Sequence, residues 1–234
     1  MDAGVLTETR CLLFDGHRLT YRVSGEGPAL VVLALYRRRE DVIQARVLSD
    51  RWQVFQIHPL GYGYSERVSG YAGEALVDQV VAVLDHAGVD RFVVWGISAG
   101  GAMAASIARG TPRTAGLVCG AYSVLDHPSD AQMRQMDRRM PPDHPSQTLW
   151  AWVRRFDWAE EFRTLACPGL FYWGSDDKHG KGLRQARDLL GGSAHEFVEY
   201  PGLGHEAGGD PDFLADTVIP MVVDWTARRL GPAW

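Results

Sequence analysis

Short strand-like segments, most of them apolar, recur along the chain and predict a sheet. They lie at residues 29–35, 52–57, 91–95, 114–121, 169–173 and 196–200. The segment at 29–35 is the most continuous apolar run, as expected for a central parallel strand that is covered on both faces. Residues 11–14 and 19–23 flank Asp15-Gly16, a pair typical of hairpin turns, so we expect the sheet to begin with a hairpin.

Apolar residues at helical spacing lie between these segments and predict helices. Helices are expected at residues 42–48, 99–108 and 181–190. Another carries Leu76, Val77, Val80, Val81, Leu84 and Ala87, and stops at Gly88. The last begins with Asp210 as N-cap and Pro211 in the first helical position, and Pro220 should kink it. Its inward residues are Phe213, Leu214, Val218, Ile219, Val222 and Trp225. The alternation predicts an α/β fold with a mostly parallel central sheet flanked by helices.

The composition changes between the strands predicted at 114–121 and 169–173. Residues 126–147 are rich in Asp, Arg, Pro and Met, whereas 149–162 are rich in aromatic residues and are expected to form a helix. We interpret residues 124–166 as a short helical cap inserted into one domain that spans residues 1–234, because about 45 residues make a poor core alone. The aromatic and methionine side chains of this insertion either form an apolar lid or pack on the sheet. Packing is favoured for most of them, with Trp150 and Trp152 kept as candidate substrate-binding residues.

Composition and charge limit the function classes. The chain has 234 residues, of which 46% are hydrophobic and 23% charged, so it is expected to fold as a soluble globular protein. Its net charge of -5 favours neither nucleic acid nor an anionic membrane as a partner. Three scattered cysteines do not indicate a disulfide framework. The first residues, Met1 to Gly4, carry no targeting signal, and residues 29–35 are too few to span a bilayer. We therefore expect a cytoplasmic protein with a small-molecule substrate, and a homo-oligomer remains an open alternative.

The strongest chemical signal is the segment G-I-S-A-G at residues 96–100, directly after a predicted strand and before a predicted helix. This context gives G-x-S-x-G its meaning, because a sharp strand-to-helix turn leaves the serine hydroxyl exposed at the strand tip. Glycines permit the tight turn, and the amides of the helix start lie close to the hydroxyl. Ser98 is therefore a candidate nucleophile.

A serine nucleophile needs a base and a group that orients the base, and two later strand ends offer both. The strand at 169–173 is followed by G-S-D-D, which ends at Asp177, and the strand at 196–200 by P-G-L-G-H, which ends at His205. Strand ends of an open parallel sheet meet at one edge. The order serine, acid, histidine is the order of the triad in one large class of hydrolases.

Four motifs in the right order, G-I-S-A-G, W-G-S-D-D, P-G-L-G-H and P-L-G-Y-G-Y-S, resemble the α/β-hydrolase superfamily over nearly the whole chain. The resemblance implies the α/β-hydrolase fold and a serine hydrolase branch with a short cap. It assigns Ser98 as nucleophile, His205 as general base and Asp177 as the acid that orients His205. Some family members carry the acid after the preceding strand, where Asp126 stands here. Branches with Asp as nucleophile are disfavoured.

One departure from the family concerns the oxyanion hole. Members usually carry His-Gly after the third strand, whereas this chain has Ala34-Leu35. The backbone amides of Tyr36 and Ala99 are the expected oxyanion donors. The following residues, Arg37 to Arg39, form either a solvated cluster or, through Arg37, a contact with an anionic substrate.

The expected reaction is hydrolysis of an ester, thioester or lactone of a small molecule through an acyl-Ser98 intermediate. A C–C bond hydrolase is an alternative, and so is a ligand binder or a lyase or cyclase with this fold, because the His-Gly pair is missing. The histidines show no metal-ligand spacing, and no dinucleotide or phosphate-binding loop is present. We therefore expect neither metal nor cofactor.

Overall fold

An eight-stranded sheet forms the centre of the computed structural model, which describes residues 7–35, 43–122, 125, 144–191 and 194–234. The strands are β1 Thr7–Phe14, β2 His17–Ser24, β3 Ala29–Leu33, β4 Gln53–His58, β5 Phe92–Ile97, β6 Thr114–Gly120, β7 Gly169–Gly174 and β8 Glu196–Tyr200. Their order is β1-β2-β4-β3-β5-β6-β7-β8. β2 is antiparallel to both β1 and β4, and all other pairs are parallel. The predicted hairpin and the mostly parallel sheet are confirmed.

Helices cover both faces of this sheet. They are α1 Ile43–Leu48, α2 Glu74–His86, α3 Ala99–Gly110, α4 Pro145–Val153, α5 Trp158–Thr164, α6 Gly180–Leu190, α7 Pro211–Phe213 and α8 Ile219–Leu230. A 3-10 turn spans His205–Gly208, and a π-helical turn spans Leu214–Val218. Alternate residues of strands β3 to β8 enter two separate hydrophobic clusters. One contains α2 to α6, and the other contains α1, the π-helical turn and α8. This arrangement confirms the predicted α/β class.

The strand predicted at 29–35 is shorter than expected. β3 ends at Leu33, and its ladder with β5 ends one residue earlier, where Val32 pairs with Trp95. The Ala34 amide still donates to the Ile57 carbonyl, at 2.7 Å. Ala34 and Leu35 then form part of a cavity wall, which accounts for their apolar character.

The single helix predicted at 149–162 is wrong, since the structure has two helices there. α4 ends at Val153, and Asp157 caps a new helix by accepting from the amides of Ala159 and Glu160, at 3.1 and 3.3 Å. The Trp158 indole donates to the Val153 carbonyl, at 2.9 Å, and so holds the two helices together. An Asp side chain that bonds nearby amides favours a helix start over a helix interior.

The irregularity expected at Pro220 takes the form of the π-helical turn. Proline has no N–H to donate to the carbonyl four residues earlier. The backbone widens just before it, and the Ile219 amide donates to the Leu214 carbonyl five residues back. The Asp210 N-cap is confirmed, because its carboxylate accepts from the Phe213 amide at 2.8 Å.

A sharp turn centred on Ser98 joins β5 to α3. Ser98 has φ 54° and ψ -127°, a backbone conformation that residues other than glycine rarely adopt. Its amide donates to the Gly120 carbonyl at 2.8 Å, and its carbonyl accepts from the Gly101 amide at 2.8 Å. A Cβ on Gly96 would lie 2.0 Å from the Gly100 carbonyl oxygen, whereas a Cβ on Gly100 would have no atom within 4 Å. Only the first glycine of the motif is therefore required by close packing.

His58, at the end of β4, is completely buried. Neither of its ring nitrogens makes a hydrogen bond to a described side chain. Burial lowers the pKa of His58 to about 4, and the nearby positive charge of Arg22 lowers it further in the same direction. The imidazole is therefore neutral in the folded protein at neutral pH.

Acid should destabilise the protein through His58. The unfolded state takes up a proton on this side chain below about pH 6.5, whereas the folded state does so only near pH 4. The free energy of unfolding should therefore fall as the pH is lowered between these values, with a contribution from His58 of about 3 kcal/mol. Urea unfolding at several pH values should show a shallower fall for His58→Phe than for the unsubstituted protein. Parallel curves would show that His58 ionises equally in both states.

Gly96 and Gly100, which flank Ser98 in the turn between β5 and α3, should respond differently to substitution. Gly96→Ala should lower the free energy of unfolding by at least about 2 kcal/mol, because strand and helix must move apart. Gly100→Ala should change it by less than about 1 kcal/mol, because the new methyl group meets open space. Thermal and urea unfolding of both variants provide the measurement, and equal losses in the two variants would contradict the packing argument.

Candidate active site

Three side chains from separate parts of the chain form a continuous hydrogen-bonded chain. The Oγ atom of Ser98 lies 3.0 Å from Nε2 of His205, and Nδ1 of His205 lies 2.8 Å from Oδ2 of Asp177. They stand after β5, after β8 and after β7, respectively, so they come from carboxyl ends of parallel strands. The structure thus brings together the three residues expected from sequence, whereas Asp126 lies outside the described residues.

The two neighbouring aspartates after β7 have different surroundings. The Asp177 side chain is 0% exposed, and its Oδ1 accepts from the His179 backbone amide at 2.9 Å. Asp176 is exposed, and its Oδ1 accepts from the Ser175 hydroxyl at 2.9 Å. Asp177 therefore uses one oxygen to fix its own position and offers the other to His205.

His205 begins the 3-10 turn after β8, and its side chain is 43% exposed. The residue after it, Glu206, accepts from the Gly204 amide at 2.7 Å and so closes the turn on the other side of the histidine. The Gly204 amide is also the largest cause that lowers the pKa of Glu206 from its usual value. Sequence analysis did not identify Glu206, because its contact with the Gly204 amide forms only when the turn folds.

Ser98 and His205 open into a cavity of about 300 Å³. Among the described residues, the lining consists of Val32, Leu33, Ala34, Leu35, Gln44, Trp95, Gly96, Ile97, Ser98, Ala99, Gly100, His205, Gly208 and Gly209. Most of this wall is apolar, and buried Gln44 adds a side-chain amide from α1. The sequence analysis missed Gln44, Gly208 and Gly209, because only the folding of α1 and the 3-10 turn against β3 and β5 places them there.

The two expected oxyanion donors have different outcomes. Ala99 is the first residue of α3 and lines the cavity beside Ser98, so its amide has no partner within the helix, and its role as an oxyanion donor stays a prediction. Tyr36 and the candidate substrate contact Arg37 lie outside the described residues, and their roles remain predictions.

Trp150 and Trp152 are not brought to this cavity. Their exposed fractions are 4% and 3%, and both belong to the hydrophobic cluster on the α3 face of the sheet. Neither is among the lining residues. The Trp152 ring packs edge-on against Phe156, with 5.4 Å between ring centroids. The structure therefore favours packing over substrate contact for both residues.

One group of side chains within the described ranges has the donor atoms for a metal ion. Asp177, His179 and His205 each offer one atom, and these atoms lie within 4.8 Å of one another.

The three cysteines form no disulfide, and burial raises the pKa of the Cys119 and Cys167 thiols to about 12. No helix in the described ranges has both the length and the apolar character needed to cross a bilayer.

Comparison with solved structures shows how widely this architecture is shared. A hydrolase from Pseudomonas aeruginosa PA01 matches with a TM-score of 0.72 and 20% identity, over 94% of this chain and 99% of that chain. A thermophilic esterase from Thermogutta terrifontis matches with a TM-score of 0.70 and 18% identity, over 92% of this chain and 98% of that chain. A meta-cleavage product hydrolase from Pseudomonas fluorescens IP01 matches with a TM-score of 0.68 and 18% identity, over 94% of this chain and 97% of that chain. These likenesses concern the fold.

Comparison of the sequence with family models indicates the same fold. No curated protein matches the sequence. The family model described as the alpha/beta hydrolase fold matches residues 34–148, which include the elbow and its serine. Together with the sheet order and the flanking helices, this match shows that the chain has the fold of the α/β-hydrolase superfamily.

Proposed function

We propose that the protein is a serine hydrolase that cleaves an ester, thioester or lactone of a small molecule through an acyl-Ser98 intermediate. The observation that carries this proposal is the hydrogen-bonded chain from Ser98 through His205 to buried Asp177 at the wall of a cavity. A base within hydrogen-bond reach of a hydroxyl, itself oriented by a third group, is the arrangement that makes serine a nucleophile.

In the first half of the reaction, Nε2 of His205 accepts the proton of the Ser98 hydroxyl while Oγ attacks the substrate carbonyl. The carbonyl π bond opens, and the tetrahedral intermediate carries its negative charge on oxygen. That intermediate collapses to the acyl-enzyme as the protonated His205 gives its proton to the leaving group. Water, deprotonated by His205, then attacks the acyl-enzyme, and Ser98 recovers its proton as the acid product leaves.

Asp177 supports both halves without changing its protonation. Its buried carboxylate accepts from Nδ1 of His205, so the neutral ring keeps its lone pair on Nε2, facing Ser98. The same carboxylate stabilises the positive charge when the ring is protonated. The amide of His179 holds the second carboxylate oxygen, which keeps the acid from rotating away.

The Ala99 amide, at the start of α3, is the proposed first donor to the oxyanion, and the Tyr36 amide is the proposed second. One such donor contributes about 2.7–4 kcal/mol to transition-state stabilisation. Leu35 stands where family members carry glycine, but donation by the backbone amide of Tyr36 does not depend on the side chain of Leu35.

The apolar cavity of about 300 Å³ favours a small acyl group, since its volume lies at the lower end of the range for ligand sites.

Two alternatives rest on particular observations. The similarity to a meta-cleavage product hydrolase supports a C–C bond hydrolase, which would use the same serine and histidine. The Ala34-Leu35 pair in place of His-Gly supports a non-hydrolytic binder, lyase or cyclase. A fluorophosphonate probe separates both kinds of hydrolase from the non-hydrolytic proteins, because stoichiometric labelling of Ser98 requires an activated nucleophile.

Ser98→Ala and His205→Ala should each lower turnover of a p-nitrophenyl acetate probe by at least about 10³-fold, because triad members act as a unit. Both side chains face the cavity, so circular dichroism and the unfolding midpoint should change little. Fluorophosphonate labelling, read by mass spectrometry, should disappear in both variants. Wild-type turnover in Ser98→Ala would rule out the acyl-enzyme.

Asp177→Asn should lower turnover by about 10²–10⁴-fold, because the amide disturbs the tautomer that His205 needs. Asp176→Asn is the matched control, since the neighbouring carboxylate is exposed and bonds only to Ser175 among the described side chains. Its turnover should stay within about threefold of the unsubstituted protein. A large loss in Asp126→Asn, together with a small loss in Asp177→Asn, would move the acid role to Asp126.

A further inference from the structure

We propose that Asp177, His179 and His205 form a binding site for a divalent transition metal such as Zn²⁺, and that the bound metal reversibly silences the triad. The metal site rests on the side-chain geometry alone, whereas its effect on turnover rests on the proposed hydrolase function. The ligand atoms of the three residues lie within 4.8 Å of one another. The ion acts as an inhibitor here and takes no part in the reaction.

The donor set suits zinc. One carboxylate oxygen and two imidazole nitrogens are ligands that zinc prefers, at about 2.0–2.2 Å. Tetrahedral coordination at these lengths places neighbouring donors roughly 3.4 Å apart. Oδ2 of Asp177 and Nδ1 of His205 lie 2.8 Å apart, so this pair must separate by about 0.6 Å. The third donor lies within 4.8 Å of the others, so it needs an approach of at most about 1.4 Å. Rotation of the His179 side chain supplies this movement, and a water molecule completes the coordination.

The surrounding contacts place Asp177 and His179 beside each other and beside His205. Asp177 accepts from the His179 backbone amide, so the Asp-x-His segment turns both side chains towards the same point at the start of α6. The His179 ring lies between Tyr122 and His205, with centroids 5.8 Å from each. Hydrogen bonds to a metal ligand from outside the coordination sphere raise affinity by fixing its orientation.

Exposure increases across the group in the order that an entering ion requires. The Asp177 side chain is buried, His179 is half-buried and His205 is exposed. An ion can therefore reach the group from the side of His205, and it meets a carboxylate that solvent does not screen. Mg²⁺ and Ca²⁺ prefer oxygen ligands, so this set of two nitrogens and one oxygen selects against them.

Metal binding to His205 stops proton transfer whichever ring nitrogen it uses. Coordination through Nδ1 displaces the single N–H proton of the neutral ring from that nitrogen, and the ring stays neutral by carrying this proton on Nε2 instead. That nitrogen faces Ser98 and has no lone pair left to accept the hydroxyl proton. Coordination through Nε2 occupies the lone pair directly. Removal of the metal restores the original hydrogen bonds.

The binding test uses the Ser98→Ala protein, because this variant keeps the three ligands and its metal affinity does not depend on turnover. Isothermal titration with ZnCl₂ should show one site per chain, and MgCl₂ should give no heat above dilution. His179→Ala in the same background should weaken zinc binding at least tenfold. His86→Ala removes an exposed histidine at the end of α2 and should leave the affinity unchanged. No zinc site, or equal affinity with and without His179, would overturn the proposal.

The activity test compares each variant with its own metal-free rate on p-nitrophenyl acetate. Zinc should inhibit the unsubstituted protein and the His86→Ala variant equally, and EDTA should restore the rate. The inhibition constant of His179→Ala should be at least tenfold higher. Zinc that binds without inhibition would overturn the silencing step. Zinc binding by a protein that has no metal-free activity would leave the site standing and would count against the hydrolase function.

Discussion

The close approach of β5 and α3 at Gly96 is the constraint on which the site depends. The backbone of Gly96 lies so near the Gly100 carbonyl that no Cβ fits between them. This approach forces Ser98 into a conformation with positive φ, and backbone hydrogen bonds to Gly120 and Gly101 hold it there. Strained residues of this kind persist where the surrounding structure over-determines them. Here the result is a hydroxyl that stands clear of the strand and beside free amides of a helix start.

The same sheet edge brings the other two residues to this hydroxyl. The loops that carry the acid and the histidine are tied to each other, since the Ser175 amide donates to the Tyr200 carbonyl and the Asp176 amide to the Leu203 carbonyl, both at 2.8 Å. The parallel pairing of β7 with β8 sets these bonds in register. The distance between Asp177 and His205 is therefore fixed by the sheet and not by the two side chains alone.

The graded exposure of the triad has one physical cause and two consequences. A buried carboxylate is stable only when hydrogen bonds replace water, and the His179 amide and His205 supply these bonds. The first consequence is a histidine with a fixed tautomer, as the proposed reaction requires. The second is a desolvated anion beside two imidazoles, which is the arrangement that we propose attracts a transition metal. The burial of the Asp177 carboxylate thus supports both the proposed activity and its proposed inhibition by a metal ion.

The sequence by itself determined the elements and the order of the chemical residues, because strand, helix and turn signals are local. The apolar run before G-I-S-A-G predicted β5 and its elbow, and the resemblance to a known family selected Ser98, Asp177 and His205. Contacts between distant residues were decided only by the tertiary structure. It split the helix predicted at 149–162 at Asp157, ended β3 at Leu33, and buried Trp150 and Trp152. It also placed Gln44 in the cavity wall and His179 beside His205, which no spacing along the chain indicates. Those outcomes depend on which surfaces are covered when the sheet and helices pack. The local sequence pattern of one element carries no information about which distant element will pack against it.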